Sequence, residues 1–377
     1  MKDLSLYIHI PFCMSKCSYC DFLSFANKDG KIEDYINALI TELKLYKERL
    51  SDYQIKTIFI GGGTPSNIDA VYIKKILKYI NENYNVKNLE EVSIETNPGT
   101  LNKEKIKTYI ESGINRVSMG VQSLNNDILK SIGRIHSDKD FYESFKLLRE
   151  MGIGNINVDL MFGLPNQNMD DIIYSLDKMT DLGVEHISYY GLILEEGTPL
   201  YNLYEKGHIV LPTEEKERAM YHKIIRILKN KGYNHYEISN FSLSGYECCH
   251  NLTYWNINPY LGIGLNSHSN MDGLRFSNTI DLEEYIELLT KEKLPIINQE
   301  YIDEDTEIEE FCIMALRKIE GIDKSEFKRR FNREIEDMYS REIDKHVKNG
   351  LIKNNDNISL TSKGLDLSNL VEVDFLK

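Results

Sequence analysis

Long apolar runs are absent from this 377-residue chain, and no stretch approaches the roughly 18 apolar residues that a transmembrane helix requires. Positive charge is also scarce: 45 Lys and Arg against 59 Asp and Glu give a formal net charge of −14, which disfavours a nucleic-acid partner. The N-terminus shows neither a signal peptide nor a transit peptide. We therefore expect a cytoplasmic protein that has no transmembrane segment and binds no nucleic acid.

Cysteine is scarce as well, with six residues, and three of them lie together as CxxxCxxC at Cys13, Cys17 and Cys20. This placement fits a reducing compartment better than a disulfide framework. Three thiolates can hold three irons of a [4Fe–4S] cluster and leave the fourth iron open to a small chelating molecule, whereas clusters that only carry electrons usually have four cysteines. The alternative is a zinc site with His9 as the fourth ligand. Zinc is disfavoured because structural zinc sites usually have tighter CxxC spacing on both sides.

The CxxxCxxC spacing and its flanking residues, from Tyr7 to Phe22, resemble the radical S-adenosylmethionine (SAM) superfamily. The resemblance implies that Cys13, Cys17 and Cys20 bind a [4Fe–4S] cluster. It also implies that the amino and carboxylate groups of SAM bind the open iron, and that one electron from the cluster cleaves the sulfonium.

The first two hundred residues alternate short apolar segments with segments whose apolar residues recur every three to four positions, which predicts alternating strands and helices. The predicted strands are 4–10, 57–60, 92–95, 116–121, 157–162 and 186–194. The predicted helices are 32–50, 70–81, 103–112, 138–151 and 169–182. Strands joined by helical crossovers predict a parallel sheet. We expect an α/β fold, a partial (β/α)6 barrel with the cysteine loop after its first strand, as the radical SAM resemblance also implies.

Polar residues stand at the ends of these strands, where barrels of this kind hold their chemistry. The segment GGGTP at 61–65 follows the second strand, and glycine lets a backbone approach a ligand closely. Glu95, Gln122 and Asp159 interrupt apolar strands, where an unpaired polar group would cost roughly 1–3 kcal/mol. These groups could satisfy one another inside the barrel, but their shared position at one end favours a polar ligand.

Several segments spread over nearly the whole chain resemble the coproporphyrinogen-oxidase-like branch of the radical SAM superfamily; they are 7–22, 61–65, 94–97, 120–123, 157–165 and 250–255. The resemblance implies a set of SAM contacts, which are Tyr7, Tyr19, Gly62, Gly63, Thr64, Glu95, Gln122, Arg134 and Asp159. The side-chain types suit these roles. Arg134 can pair with the methionine carboxylate, and the carboxylates and the amide can accept hydrogen bonds from ribose hydroxyls or the amino group.

Two groups of proteins within this branch differ in the residues around the cysteine motif. The oxygen-independent coproporphyrinogen III oxidases carry a further cysteine shortly after the third ligand and an N-terminal extension. Here Asp21 and Phe22 follow Cys20, and twelve residues precede Cys13. Together with HNLTYW at 250–255, this pattern resembles the HemW-type heme chaperones. That resemblance implies that the protein binds heme and that its partners are heme-accepting apoproteins. Membrane-bound respiratory enzymes are one candidate class of these partners.

His250 in HNLTYW is the candidate heme residue, because imidazole is a common axial ligand of heme iron. The nearby aromatic residues, Tyr246, Tyr254 and Trp255, could face a porphyrin. The alternative is a structural histidine that is hydrogen-bonded to backbone. Cys248 and Cys249 rank lower as ligands because no Cys-Pro heme motif is present.

We expect three regions: 1–240 as the radical SAM partial barrel, 241–298 with HNLTYW and a Gly-rich segment that closes the barrel, and 299–377 as a helical, winged-helix-like domain. In the last region the pattern predicts helices at 306–317, 324–331 and 335–349 and a strand at 358–361. Its basic strip is interpreted as a solvated helix face, because acidic residues outnumber basic ones there. The strip comprises Lys324, Lys328, Arg329, Arg330 and Arg333.

Three functions remain as hypotheses. A heme chaperone leads, and a radical SAM enzyme, either the decarboxylating oxidase or one acting on another tetrapyrrole, comes second. A winged-helix regulator with an iron–sulfur sensor comes third.

Overall fold

The structure, a computed structural model, describes residues 1–376 and has a parallel six-stranded sheet at its centre. The strands are β1 (Lys2–Ile10), β2 (Tyr53–Gly62), β3 (Glu91–Thr96), β4 (Arg116–Gln122), β5 (Ile156–Phe162) and β6 (His186–Gly191). They pair in sequence order, and every pairing is parallel. The six strands predicted from the apolar runs are therefore confirmed, although β6 ends at Gly191 and the prediction extended to 194.

Helices connect the strands and cover the apolar side of the sheet. The helices of this part are α1 (Ile32–Tyr46), α2 (Ala70–Asn83), α3 (Lys103–Glu111), α4 (Asn126–Ser131), α5 (Asp138–Glu150) and α6 (Met169–Asp181). Helix α6 shows how the sequence specifies them: Asn168 and Asp171 form a capping box at its start. Its apolar residues Ile172, Leu176 and Met179 are fully buried at helical spacing.

The sheet continues beyond both ends of the parallel core and does not close. On the β6 side lie helices α7 (Pro199–Glu205) and α8 (Glu214–Asn230) and strands β7 (Asn234–Glu237) and β8 (Asn240–Ser242). On the β1 side lie α9 (Cys249–Trp255), β9 (Tyr260–Ile263), β10 (His268–Met271), β11 (Leu274–Asn278), α10 (Leu282–Thr290) and β12 (Ile296–Tyr301). The twelve-stranded order is β12-β11-β10-β9-β1-β2-β3-β4-β5-β6-β8-β7. This open sheet confirms the partial barrel.

The Gly-rich segment after HNLTYW does not close the barrel as the sequence suggested. Strand β9 pairs in parallel with β1, and β10 to β12 follow as antiparallel strands that lengthen the sheet. Gly262 allows the start of β10 to lie close to β9, because a Cβ at that position would lie 2.3 Å from the carbonyl oxygen of His268. The segment therefore widens the sheet beside the carboxyl end of β1.

A buried carboxyl fixes the turn between β9 and β10. Glu42 on α1 accepts hydrogen bonds from the Gly264 backbone N–H at 2.9 Å, from Asn278 Nδ2 at 2.6 Å and from the Tyr285 hydroxyl at 2.5 Å. Burial raises the pKa of Glu42 to about 7, against the opposing effect of these three donors. The network holds the turn at one side of the cavities described below.

The C-terminal region folds around a second apolar core. Its elements are α11 (Glu304–Leu316), β13 (Ile322–Asp323), α12 (Lys324–Phe331), α13 (Ile335–Lys348), β14 (Ile352–Asn354), β15 (Asn357–Leu360), α14 (Ser362–Leu365) and α15 (Ser368–Glu372). The strands form a small antiparallel sheet in the order β13-β15-β14. Helices followed by this hairpin confirm the winged-helix-like prediction. Within residues 1–376, no helix has the length and apolar character needed to cross a membrane.

Candidate functional site

A cavity of about 170 Å³, here called the cysteine cavity, opens where β1 to β5 reach their carboxyl ends. Cys13, Cys17 and Cys20 all line it. The loop that carries them leaves β1 through a short parallel pairing of Phe12–Cys13 with Phe25–Ala26, so that Cys13 is held against the sheet. The Cys13 Sγ lies 3.6 Å from the Thr64 hydroxyl in the glycine loop after β2. The cysteine loop and the glycine loop therefore form one wall together.

The glycine loop can approach the cysteine loop only because it lacks side chains. A Cβ on Gly63 would lie 2.9 Å from the Cys13 Sγ and 3.0 Å from the carbonyl oxygen of Phe12. Gly62 has φ of +120°, and a Cβ there would lie 2.7 Å from the His9 ring. The triple glycine is thus more than a strand-to-helix turn, since it brings backbone groups to the cavity wall.

Arg134 crosses the cavity between the cysteine loop and the strand ends. Its Nη1 donates to the Cys17 Sγ at 3.4 Å, and its Nη2 donates to Asn97 Oδ1 at 2.7 Å and to the Gly120 carbonyl oxygen. Its buried Nε has no hydrogen-bond partner among the described residues. A buried guanidinium with a free N–H is suited to an anionic ligand.

Two buried carboxyls face the same cavity. Burial, followed by the charge of Asp159, raises the pKa of Glu95 to about 8. Burial likewise raises the pKa of Asp159, although hydrogen bonds from Asn157, Ser118 and Ser188 oppose it. The Glu95 carboxylate also accepts a hydrogen bond from the Gly62 backbone N–H at 3.0 Å. Two such carboxyls in one cavity are stabilised by a cationic ligand or one rich in hydroxyl donors.

Gln122 ends β4 in the left-handed region, at φ of +66°, beside an irregularity in the β4–β5 register. Its side chain lines the cavity, where the Tyr190 hydroxyl donates to Gln122 Oε1 at 2.9 Å.

The cysteine cavity brings together all but one of the residues predicted to contact SAM; those lining it are Tyr19, Gly62, Gly63, Thr64, Glu95, Gln122, Arg134 and Asp159. The exception is Tyr7, which lines a neighbouring cavity and pairs its hydroxyl with His9 Nδ1 at 2.9 Å. Asn97, Ser118 and Tyr190 also line the cysteine cavity and were missed. The position of Asn97 two residues after Glu95, at a strand end, was the available signal.

The donor set suits a cluster better than zinc. His9, the fourth ligand in the zinc alternative, directs Nδ1 to the Tyr7 hydroxyl and Nε2 to the carbonyl oxygen of Leu23, both within 3.0 Å. Burial lowers the pKa of His9 to about 4, so the ring is neutral and already hydrogen-bonded on both sides. The three thiols share a cavity with a free guanidinium N–H and buried carboxyls, which suits a cluster with a chelating amino acid group beside it.

The HNLTYW motif lies at the other end of the strands. It forms α9, whose backbone N–H at Cys249 donates to Glu91 at 2.8 Å and whose Thr253 pairs with the Ser5 hydroxyl at 2.8 Å. Ser5 is five residues before Ile10, or about 16 Å along β1 from the cysteine loop. Helix α9 therefore covers the sheet away from the cysteine cavity.

His250 points from α9 into the barrel and is 1% exposed. Its Nδ1 pairs with the Thr57 hydroxyl at 2.8 Å and its Nε2 with the Tyr254 hydroxyl at 2.9 Å, and its ring stacks on Phe59. Burial, with a contribution from the charge of Arg116, lowers the pKa of His250 to about 3. Axial ligation of heme by His250 stays a prediction, and it would require one of these hydrogen bonds to break.

Helix α9 is also joined to the C-terminal region. The Arg317 guanidinium lies 4.6 Å from the Trp255 ring centre and donates to the buried Glu237 at 2.9 Å. Lys318 donates to Asn256 at 2.8 Å.

Each cation of the basic strip has a carboxylate partner. The pairs are Lys324–Glu336, Lys328–Glu334, Arg329–Glu326, Arg330–Glu326 and Arg333–Glu304. The strip is therefore neutralised within its own domain, which agrees with its interpretation as a solvated helix face.

Comparison with known proteins gives consistent matches. The radical SAM superfamily model matches residues 7–179, and the model of the HemN C-terminal domain matches residues 302–367. The solved structure of the coproporphyrinogen III oxidase HemN from Escherichia coli is similar, with a TM-score of 0.87 and 21% identity, over 100% of this chain and 90% of that one. At that identity the similarity shows the fold alone.

Curated relatives match more closely in sequence. Heme chaperone HemW from Lactococcus lactis is 38% identical over 376 residues, which cover 100% of this chain and 98% of the relative. Heme chaperone HemW from Bacillus subtilis is 38% identical over 374 residues, or 99% of each chain. The fold and the cysteine cavity define a radical SAM protein with a HemN-type C-terminal domain. Within that class, the chain belongs to the HemW family.

Proposed function

We propose that this protein is a heme chaperone that holds a [4Fe–4S] cluster and SAM in the cysteine cavity, binds heme, and delivers it to target apoproteins in the cytoplasm. The observation that carries the proposal is the 38% identity to heme chaperone HemW over the full chain. The convergence of the three cysteines with Arg134 and two buried carboxyls supports the cofactor part.

Cys13, Cys17 and Cys20 would hold the cluster, and the cluster with SAM would supply one-electron chemistry at the sulfonium when both are bound. Arg134 offers its free Nε–H, and its contact with Cys17 keeps the cation beside the cysteine loop. Glu95 and Asp159 would accept hydrogen bonds from amino or hydroxyl groups, since both are buried and face the cavity. Tyr19 and Gln122 line the same cavity and would contact SAM from its wall.

Oxidation of coproporphyrinogen III is the alternative activity. The chain has the fold that this activity requires. At 21% identity, however, the similarity to HemN indicates neither the substrate nor the reaction of this chain. Asp21 and Phe22 follow Cys20 where the oxidases carry a further cysteine, so we favour heme binding over turnover.

The proposal is tested on one anaerobically reconstituted sample, by heme titration, heme transfer to an apoprotein and a coproporphyrinogen III turnover assay. We expect heme binding and transfer without formation of protoporphyrinogen IX. Conversion at enzymatic rates would establish the oxidase instead, and the absence of heme binding would reject the chaperone.

The Glu95 carboxyl gives a second test, on SAM itself. Because the pKa of Glu95 is about 8 in the ligand-free protein, the carboxyl is largely protonated at neutral pH, whereas a cationic ligand favours the ionised form. SAM affinity should therefore rise as the pH increases through about 8 and fall below it. In Glu95→Gln we expect affinity at high pH to fall roughly ten- to a hundredfold, as for a lost charge-assisted hydrogen bond.

Calorimetry on the cluster-loaded protein between pH 6.5 and 9 measures this effect. Glu48→Gln serves as the matched control, because Glu48 is an exposed glutamate in the turn that follows α1. An unchanged pH profile in Glu95→Gln would mean that Glu95 does not contact the ligand.

A further inference from the structure

A second cavity, here called the aromatic cavity, adjoins the cysteine cavity and has a volume of about 390 Å³. The two share Gly62, Glu95 and Phe22 in their walls. Its volume lies within the range of about 300–1,000 Å³ that is typical of small-molecule sites. His250, the heme ligand expected from the sequence, does not line this cavity, whereas Tyr254 of the same motif does.

Aromatic and apolar side chains form one part of its walls, and Asp21 and Glu95 add carboxyl groups. Tyr254 and Tyr260 meet edge to face, with ring centres 4.7 Å apart. Phe22 stands at the rim with 65% of its surface exposed, and Leu23 follows it. Exposed apolar side chains around an open cavity are typical of ligand-binding grooves. A porphyrin bound in a cavity of this size would keep one edge in solvent. A ligand that is later transferred to another protein needs such an accessible edge.

His268 is the one histidine of this wall that is open to solvent. All nine histidines of the sequence lie among the described residues, and only His208 and His268 are exposed. Of these two, only His268 lines the aromatic cavity. Its ring nitrogens make no hydrogen bond with the described part of the protein. His9 also lines the cavity, but both of its ring nitrogens are engaged.

The strand register explains why this imidazole faces the cavity. His268 and Asn270 lie on the same face of β10, and Asn270 pairs with Tyr260 on β9. Gly262, on the same face of β9 as Tyr260, pairs with Tyr7 on β1. Because Gly262 has no side chain, Ser267 and the backbone of His268 can lie directly against β9; a Cβ at Gly262 would lie 2.3 Å from the His268 carbonyl oxygen.

We infer that His268 is the axial ligand of the heme iron, with the porphyrin lying against Tyr260 and Tyr254 in the aromatic cavity. This inference rests on the heme chaperone function proposed above. It gives the HNLTYW motif a role as well: Tyr254 lines the cavity and is held by His250, so His250 acts as a positioning residue.

The test is a heme titration of the full chain with His268→Gly, beside His208→Gly as the matched exposed-histidine control. We expect the Soret band of the wild type and the control to coincide. His268→Gly should show a shifted band and an affinity about tenfold lower or more. Free imidazole should restore the wild-type band in His268→Gly, because it can occupy the vacated coordination position. Metal-free protoporphyrin IX should bind the variant and the wild type equally, which separates ligand loss from collapse of the cavity.

A wild-type Soret band and affinity in His268→Gly would overturn the assignment while leaving the chaperone function intact. Loss of both heme and metal-free porphyrin binding would assign His268 a structural role and also overturn it. A wild-type protein that binds no heme would instead reject the proposed function, and the ligand assignment with it.

Discussion

Cys17→Ala is expected to lose its iron and acid-labile sulfide almost completely after anaerobic reconstitution. Only two thiolates would remain for a cluster that the CxxxCxxC loop holds with three, and no other cysteine lines the cysteine cavity. SAM should then no longer perturb the electron paramagnetic resonance spectrum. The loss is expected to be large because metal–thiolate bonds, unlike surface contacts, cannot be replaced by water without releasing the cluster.

Cys249→Ala is the matched control, since Cys249 is an exposed thiol on α9 at the other end of the strands. It should retain wild-type iron content. Full cluster retention in Cys17→Ala, or uptake of zinc without iron by the wild type, would contradict the cluster assignment.

His250→Ala is expected to lower the free energy of unfolding by about 3–5 kcal/mol. The substitution removes a fully buried ring that stacks on Phe59, and it leaves the hydroxyls of Thr57 and Tyr254 without their partner. Both effects belong to the small group of mechanisms that produce large destabilisation. Chemical denaturation of the cluster-loaded protein measures the change, with the exposed His208→Ala as the control.

The same variant distinguishes the proposed roles of His250 and His268 in heme binding. If His250 acts through Tyr254, the folded fraction of His250→Ala should keep the position of the Soret band and bind heme more weakly. A stable His250→Ala protein with a displaced Soret band would show that His250 reaches the iron in another conformation, as the sequence prediction holds.

Much of the fold could be predicted because its signals are local. Apolar runs predicted all six parallel strands to within a few residues, since a strand buried on both faces must be apolar along its length. Helical periodicity predicted the connecting helices except the short α4. The predicted helix α1 extends past Tyr46 to residue 50, because Leu50 continues the apolar spacing of Leu43 and Tyr46, but residues 47–50 form turns. The three candidate cluster thiols were equally visible, because all three belong to one short loop.

The gathering of Glu95, Gln122 and Asp159 could also be expected, because parallel strands bring their carboxyl ends to one edge. Only the tertiary structure decided the remainder. The hydrogen bonds from Arg134 to Asn97 and Gly120 and the placement of Tyr7 outside the cysteine cavity depend on contacts between segments far apart in the chain.

The segment around HNLTYW shows the difference most clearly. Its sequence indicated a family and a candidate ligand, and both follow from residue types at fixed spacing. Whether the His250 side chain is exposed or buried depends on Ser5, Thr57 and Glu91. These residues lie on three strands far from α9 in the chain and form hydrogen bonds with it. No local pattern encodes that contact. The sequence therefore determined the elements and the cysteine loop, while the long-range packing of α9 and β9 decided which histidine is accessible.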